Sequence, residues 1–263
     1  MIKLEIKQQV AWVSLARPEK QNALSFAMFV ELSNVIKQIK RDRSLRAVVI
    51  SGEGEHFCSG LDVAAVMKKP SNIIKLLFKW LPGNQNLAQK VVLGWQDLSI
   101  PVIAKVTGHC FGGGMQIALG ADYRIVDKNA KLAIMEARWG LCPDMGANVV
   151  LAGLMKRDQA LWLASHAGPV SAEDAKEYSL VTQLTDDVDK QTDAVLETLM
   201  ARSPDTLAAI KRITQQSYRS QQRKILAKET WSQIRLLMNP NTKKAIAKAK
   251  GAEDIQFNNA KSW

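Results

Sequence analysis

Two acidic residues in an otherwise apolar stretch, Lys131 to Gly146, are the first candidates for chemistry. They are Glu136 and Asp144. Apolar surroundings disfavour the charged form of a carboxyl group, which raises its pKa toward the range useful for general acid-base catalysis. A surface ion pair, here between Glu136 and Arg138, is the commoner fate of a lone acid. The stretch therefore offers a proton-transfer group, with the surface pair left open as the alternative.

Three consecutive glycines, Gly112 to Gly114, follow the apolar run Pro101 to Val106 and lead into a second apolar run. If that second run is a helix, its first backbone N–H groups are unpaired and its dipole favours negative charge at this end. Such a turn suits an oxyanion. Close packing of a helix on a strand explains the triplet equally well when the motif is taken alone.

A second glycine-bearing turn lies in the passage Val48 to Val63, at the end of a β-like run. Glycines at such a point bring backbone N–H groups to an edge that a ligand can reach, although a plain tight turn is the commoner interpretation. Two specific motifs are excluded. Phe57 stands where a dinucleotide fingerprint needs its third glycine, and Ser59 lacks the nucleophile elbow G-x-S-x-G.

Histidines and cysteines near these turns do not form a recognisable metal or nucleophile motif. His56 and His109 have neither H-x-x-x-H spacing nor a Ser or Cys partner with a third orienting group, so we expect rim or packing roles. Cys58, Cys110 and Cys142 show no CxxC spacing, which favours reduced packing residues. We therefore expect no metal site.

The elements that must position these residues follow from hydrophobic periodicity. The pattern predicts α/β units in series to about residue 190 and mostly helix in the last 70 or so residues. Helix starts are indicated by the capping-box-like Ser171 to Asp174 and by Ser203-Pro204. Residues 67–90 fit neither a clear strand nor a capped helix, and we interpret them as a mobile flap. The predicted elements are strands at Gln9–Leu15, Arg46–Ser51, Val102–Val106 and Tyr123–Val126 and a helix at Phe26–Arg41.

Composition places the chain among globular proteins, since 47% of its 263 residues are hydrophobic and 23% are charged. The net charge of +11 fits a nucleic acid, an anionic surface or a polyanionic small molecule such as coenzyme A, as well as an ordinary solvated surface. No run approaches the roughly 18 uncharged apolar residues that span a bilayer, and the N-terminal residues show no signal core. We expect a cytoplasmic protein without membrane insertion.

Taken together and in this order, the passages resemble the crotonase (enoyl-CoA hydratase/isomerase) superfamily. Leu15–Leu24, Gly168–Val181, Ala201–Pro204 and Lys211 extend the resemblance over nearly the whole chain. It implies an α/β fold, a spiral of repeated β-β-α units over residues 1–195 that holds the acyl-CoA site. It also implies a C-terminal helical oligomerisation region over residues 196–263, and a homotrimer or homohexamer.

The resemblance also implies the roles of individual residues. The amides of Leu61 and Gly113 would form an oxyanion hole around the thioester oxygen. Coenzyme A would be part of the substrate, and no other cofactor is implied. Trp139 and Met135 could line an acyl tunnel, although residues of this type are more often core. The expected substrate-binding residues are Ala23, Ser59, Leu61, Asp62, Val63, Ala64, Gly112, Gly113, Trp139 and Pro143.

The acids depart from the pattern of the family's hydratases, which carry one glutamate shortly after the glycine triplet and another in the following segment. The first position is Gln116 here and the second is Glu136. An amide cannot accept a proton as a carboxylate does, so we expect double-bond isomerisation rather than efficient hydration. Glu136 is predicted as the base, Asp144 as a second proton-transfer group or water orienter, and Gln116 as a polar positioner. A hydratase with an impaired first acid is the alternative.

A binding protein is the competing class, because the C-terminal helices are rich in basic residues and one branch of this family binds RNA. No nucleic-acid module or stacking aromatic pattern accompanies the basic residues, so a solvated face is favoured. Nucleic acid is therefore an unexpected partner but is not excluded. The basic residues are Lys211, Arg212, Arg219, Arg223, Lys224, Lys228, Lys243, Lys244, Lys248 and Lys250.

Overall fold

A computed structural model of the chain describes residues 1–67, 69–218 and 222–258. The strands are β1 (Ile2–Lys7), β2 (Val10–Leu15), β3 (Ala47–Gly52), β4 (Val102–Val106), β5 (His109–Phe111), β6 (Tyr123–Asp127), β7 (Lys131–Ala133), β8 (Val170–Ser171) and β9 (Gln183–Thr185). In the described part of the chain the larger sheet has the order β1-β2-β3-β4-β6-β9, and the smaller sheet has the order β5-β7-β8. β1 runs antiparallel to β2, and the other pairs of the larger sheet are parallel.

Helices connect most of these strands and make up nearly all of the C-terminal part. They are α1 (Phe26–Arg41), α2 (Val63–Met67), α3 (Pro70–Leu77), α4 (Leu87–Gln96), α5 (Gly113–Gly120), α6 (Ala147–Leu154), α7 (Arg157–His166), α8 (Ala172–Glu177), α9 (Val188–Met200), α10 (Pro204–Tyr218), α11 (Gln222–Leu237) and α12 (Pro240–Ala249). Short 3-10 turns occupy Pro18–Lys20 and Glu136–Trp139. None of the described helices combines the length and the hydropathy needed to cross a membrane.

β3, inside the larger sheet, is buried on both faces. Within β3, Val48 and Ile50 belong to the main core, whereas Ala47 and Val49 belong to a second core that includes residues of α9. Successive side chains of a strand point to opposite faces, so a strand that is covered on both sides needs an unbroken apolar run. This is why β3 lacks the alternation of polar and apolar residues that marks a half-exposed strand.

Several predicted elements are confirmed, with bounds that agree to within one residue. α1 and β4 have the predicted bounds, and β2, β3 and β6 differ by one residue at one or both ends. The two predicted helix starts are also confirmed. Ser171 Oγ accepts a hydrogen bond from the N–H of Asp174 at 3.0 Å, and Ser203 Oγ accepts one from the N–H of Thr206 at 3.5 Å.

The structure adds elements that the periodicity did not predict. β1 is an exposed edge strand in which charged residues alternate with apolar ones. The segment 67–90, interpreted as a flap, contains α3 and the start of α4, which begins with a capping box between Asn86 and Gln89. The mobility of this segment stays a prediction. Residue 68 of the segment and Arg219 of the basic set lie outside the described residues.

The C-terminal helices pack back onto the core. Lys211 in α10 donates hydrogen bonds to the carbonyls of Trp95 and Ile100, and its ammonium pairs with Asp122 at 2.7 Å. Leu226 in α11 is part of the main core. The expected boundary between residues 195 and 196 falls inside α9, so the two expected regions share a helix.

Candidate active site

The two glycine-bearing turns lie side by side. The N–H of Phe111 donates to the carbonyl of Cys58 at 2.9 Å, and the N–H of Cys58 donates to the carbonyl of His109 at 2.9 Å. The turns also approach each other at their glycines, because a Cβ atom placed on Gly112 would lie 3.9 Å from Gly60 Cα. Gly60 has φ of +101° and Gly112 of +51°, values that side chains rarely tolerate. The two glycines therefore allow the turns to approach each other.

Each turn also presents a backbone N–H group that has no acceptor within the described residues. Gly113 is the first residue of α5, so its N–H has no partner inside the helix. Leu24 forms hydrogen bonds with the residues on either side of Leu61. The N–H of Leu24 donates to the carbonyl of Gly60, and the carbonyl of Leu24 accepts the N–H of Asp62. The N–H of Leu61 is directed away from that pairing.

A cavity of about 280 Å³ lies against both turns. Its lining includes six of the ten expected substrate-binding residues, namely Ser59, Leu61, Val63, Gly112, Gly113 and Trp139, and also Met135. Most of the remaining wall is apolar, with Phe29, Val66, Ile73, Leu76, Leu77, Leu237 and Ile246. The polar groups of Gln116, Glu136 and Asp144 lie at the same cavity. The arrangement suits an apolar acyl group whose reactive carbons lie near carboxyl groups.

Glu136 begins the 3-10 turn after β7 and lines the cavity. Its Oε1 accepts a hydrogen bond from Gln116 Nε2 at 2.6 Å, and a Cβ atom on Gly112 would lie 3.7 Å from the same oxygen. Its Oε2 is buried and has no hydrogen-bond partner among the described residues. Burial raises the pKa of Glu136, against the opposing effect of the Gln116 bond. The alternative of a surface pair with Arg138 is not what the structure shows.

Gln116 holds two parts of the site together from α5. Its side chain is fully buried, with Nε2 bound to Glu136 and Oε1 accepting the N–H of Met145 at 3.0 Å. Since both ends of the amide are engaged, Gln116 fixes the orientation of Glu136 and anchors the loop that follows Asp144. The role of Gln116 as a polar positioner of substrate or water stays a prediction.

Asp144 lines the same cavity, at the tip of the loop that leads into α6. The pKa of its carboxyl group is raised well above the usual range, first by burial and then by the negative charges of Glu229 and Glu136. Glu229, in α11, is 5% exposed. Burial raises the pKa of Glu229 to about 7, although hydrogen bonds from Asn148, Gln89 and Gly146 oppose this shift.

Comparison with known proteins tests the resemblance that the sequence showed. The family model described as "Enoyl-CoA hydratase/isomerase" matches residues 5–257. The chain belongs to the enoyl-CoA hydratase/isomerase family. Within that family it is 31% identical to 1,2-epoxyphenylacetyl-CoA isomerase of Escherichia coli (strain K12) over 182 residues, 69% of this chain and 68% of the relative. It is 28% identical to (E)-benzylidenesuccinyl-CoA hydratase of Thauera aromatica over 186 residues, 70% of each chain.

Solved structures confirm the fold that the resemblance implied. The crystal structure of an enoyl-CoA hydratase from Mycobacterium avium subsp. paratuberculosis K-10 superposes with a TM-score of 0.82 at 24% identity, covering 95% of this chain and 98% of that one. The α/β crotonase fold is therefore shown. The relatives' names include both isomerases and hydratases, so family membership alone does not select the reaction.

Four of the expected substrate-binding residues lie outside the cavity lining. Asp62 pairs with Arg17 at 3.1 Å, and Arg17 also donates to the carbonyl of Ala23 at 2.8 Å. The carbonyl of Pro143 accepts from Asn148 Nδ2 at 2.9 Å. Ala64 is exposed. In this family member the Arg17 contacts brace the turn that presents Leu61, and a substrate role for these four residues stays a prediction.

The other expected packing residues agree with the structure. The imidazole rings of His56 and His109 stack with centroids 4.1 Å apart, and His109 stacks in turn on Phe111 of the cavity wall. The three cysteines are free, with Cys58 and Cys110 buried. Within the described residues, no group of His, Cys, Asp and Glu side chains could hold a metal ion.

Sequence reasoning missed two residues of α11 that reach the site. Glu229 binds the loop after Asp144, and Gln233 lines the cavity and accepts the N–H of Cys142 at 3.2 Å. In the sequence Glu229 is a single acid in a basic helix, a pattern typical of a solvated face. The available signal was weak: Glu229, Thr230 and Gln233 share one helix face with Leu226, and this face is buried although three of these four side chains are polar.

Proposed function

We propose that this protein isomerises the double bond of an enoyl-CoA or dienoyl-CoA thioester. The carboxylate of Glu136 removes a proton from C2 of a 3-enoyl thioester, and the electron pair moves onto the thioester oxygen to give a dienolate. A proton returned at C4 leaves the double bond between C2 and C3. No other reactant is needed, because the proton that leaves one carbon is replaced at another.

The observation that carries this proposal is the state of Glu136. One of its oxygens is fixed by Gln116, while the other is buried at the cavity without a hydrogen-bond partner among the described residues. An unpartnered carboxylate oxygen in a buried position is costly unless a ligand or a proton meets it. A raised pKa brings the group closer to neutrality, where it can both accept and return a proton.

The N–H groups of Leu61 and Gly113 would stabilise the dienolate. Both residues line the cavity, and neither N–H has an acceptor within the described residues. Removing a proton beside a thioester places negative charge on its oxygen, and each fixed donor contributes a rate factor of roughly 10²–10³. Backbone donors do not depend on side-chain type, so leucine serves here as well as any residue.

Hydration of a 2-enoyl-CoA is the second candidate, because a second carboxyl group, Asp144, lines the same cavity. Two carboxyl groups could share the activation and delivery of water. Against this, the position after the glycine triplet holds Gln116, an amide that is already bonded to Glu136 and Met145. Isomerisation needs a base that removes the proton from C2, and the unpartnered Oε2 of Glu136 supports that role.

Purified protein should be incubated separately with 3-enoyl-, 3,5-dienoyl- and 2-enoyl-CoA in D₂O, and the products identified by chromatography and mass spectrometry. We expect double-bond migration with deuterium incorporation that depends on Glu136. The exposed acid Glu55, changed to glutamine, is the matched control. Efficient 2-enoyl hydration that survives Gln116→Ala and is lost in Glu136→Gln would replace isomerisation by hydration.

A further inference from the structure

Glu229 reaches the candidate site from α11 and binds the loop that carries Asp144. Its Oε2 accepts the N–H of Gly146 at 3.0 Å and Nε2 of Gln89 at 3.1 Å. Its Oε1 accepts both the N–H and Nδ2 of Asn148, at 3.2 and 3.0 Å. Four N–H donors therefore converge on a single buried carboxyl group.

The chemistry of these four contacts favours one protonation state of Glu229. Every partner is a donor, so no neighbouring acceptor is available for a carboxylic proton among these contacts. A carboxylate that accepts several N–H bonds is stabilised in its charged form. Burial acts in the opposite direction and raises the pKa of Glu229 to about 7, so the group carries its charge above neutral pH.

The loop after Asp144 is held from two sides. The N–H of Met145 donates to Gln116 Oε1, and the N–H of the next residue, Gly146, donates to Glu229 Oε2. Gln116 in turn holds Glu136. The backbone that follows Asp144 is thus fixed between the Gln116 amide, which also holds Glu136, and the carboxylate of Glu229.

We propose that Glu229 is a positioning residue that clamps the Asp144 loop and, through its negative charge, makes Asp144 the proton donor of the site while Glu136 acts as the base. This inference rests on the proposed isomerisation, and it assigns the step that returns a proton to carbon. Asp144 delivers its proton to C4, Glu136 takes the proton from C2, and solvent or transfer between the two acids restores the starting state.

Other titratable and charged groups lie around Glu229 and Asp144, and their effects add to or leave unchanged the effect of Glu229 on Asp144. Glu136 is a like charge and acts on Asp144 in the same sense as Glu229. The Cys142 thiol stays neutral, since burial raises its pKa to about 12. Lys79 is a cation that interacts with Glu229. The charged groups that shift the pKa of Asp144 are Glu229 and Glu136, and both raise it.

The test combines titration with kinetics in Glu229→Gln, which keeps the size of the side chain and removes its charge. The Asp144 carboxyl carbon should be followed by ¹³C NMR in ligand-free protein. We expect its midpoint to fall by about one pH unit or more relative to the unchanged protein. The alkaline limb of kcat/KM should move to lower pH by a similar amount. Thr230→Val, a buried change on the same helix, should alter stability without moving the Asp144 midpoint or the alkaline limb of kcat/KM.

Three results would overturn the inference. One is an Asp144 midpoint that is unchanged in folded Glu229→Gln protein. Another is a shifted midpoint with an unmoved alkaline limb, which would show that Asp144 is not the donor. The third needs no variant: in the unchanged protein the Asp144 signal should show a second inflection where Glu229 ionises, and its absence would exclude the coupling. The NMR results hold whether or not isomerisation is the reaction.

Discussion

Glu136 and Glu229 are the same residue type, yet their surroundings differ. Glu136 faces the cavity with one oxygen bonded to Gln116 and the other without a partner among the described residues. Glu229 lies behind the loop of Asp144, with two N–H donors on each oxygen. Burial raises the pKa of both groups.

The difference shows how one side chain can serve two purposes. A carboxylate with a vacant oxygen at a cavity can exchange a proton with a ligand, because accepting that proton breaks no existing bond. A carboxylate with every acceptor position filled would have to lose hydrogen bonds to do so. Hydrogen-bond saturation therefore distinguishes Glu229 from Glu136, the acid that we propose as the base.

The largest expected effect comes from Glu136→Gln, which removes the carboxylate and with it the oxygen that has no hydrogen-bond partner among the described residues. We expect kcat for double-bond migration to fall by about 10³-fold, in the range of general-base catalysis, with little change in thermal unfolding. Steady-state kinetics on a 3-enoyl-CoA and a melting curve measure the two quantities. Retained activity would mean that the vacant oxygen has no part in the chemistry.

The ionisation of Glu229 should affect how the free energy of unfolding depends on pH. Glu229 has a pKa of about 7 when folded against 4.5 as its ordinary value, so between these values the folded state binds a proton that the unfolded state has released. Stability therefore falls as pH rises from 4.5 to 7, by about 3 kcal/mol from this group. The free energy of unfolding, measured with urea at pH values across this window, should change less with pH in Glu229→Gln than in the unchanged protein. Parallel profiles would contradict the assignment.

The smallest effect tests the hydrogen bond that Gln116 donates to Glu136. The Gln116 hydrogen bond lowers the pKa of Glu136, so Gln116→Ala should raise it and move the acidic limb of kcat/KM to higher pH. We expect a shift of about half a unit to one unit, with kcat at high pH reduced about tenfold or less. A pH series of initial rates measures it. An acidic limb that moves to lower pH would mean that Gln116 does not stabilise the carboxylate.

The sequence predicted the parts of the molecule that local motifs encode. α1 is fixed by apolar residues at helical spacing and β4 by a short β-branched run, and both have the predicted bounds. The glycine-bearing passages that contain Gly60 and Gly112 indicated the two turns. The apolar surroundings of Glu136 indicated that its pKa is raised. In each case the information lies within about ten residues of the feature.

The parts that escaped prediction depend on contacts between distant segments. Glu229 meets Asn148 across 81 positions and Gln89 across 140, and no local pattern marks either contact. Asp62 pairs with Arg17 and the carbonyl of Pro143 accepts a bond from Asn148, and no local pattern predicted either contact. A motif can indicate which residue is special, whereas its partners depend on how the chain folds back.

The clamp from α11 also sets an order for biosynthesis. Ribosomes release a chain from its N-terminus, so the sheet and both glycine turns emerge well before Glu229 and Gln233 do. Until α11 docks, the Asp144 loop lacks its bonds to Glu229 through Gly146 and Asn148 and to Gln233 through Cys142. A nascent chain can thus form its sheet and both glycine turns while the Asp144 loop still lacks these contacts, and the site that we propose for proton transfer is complete only with the final helices.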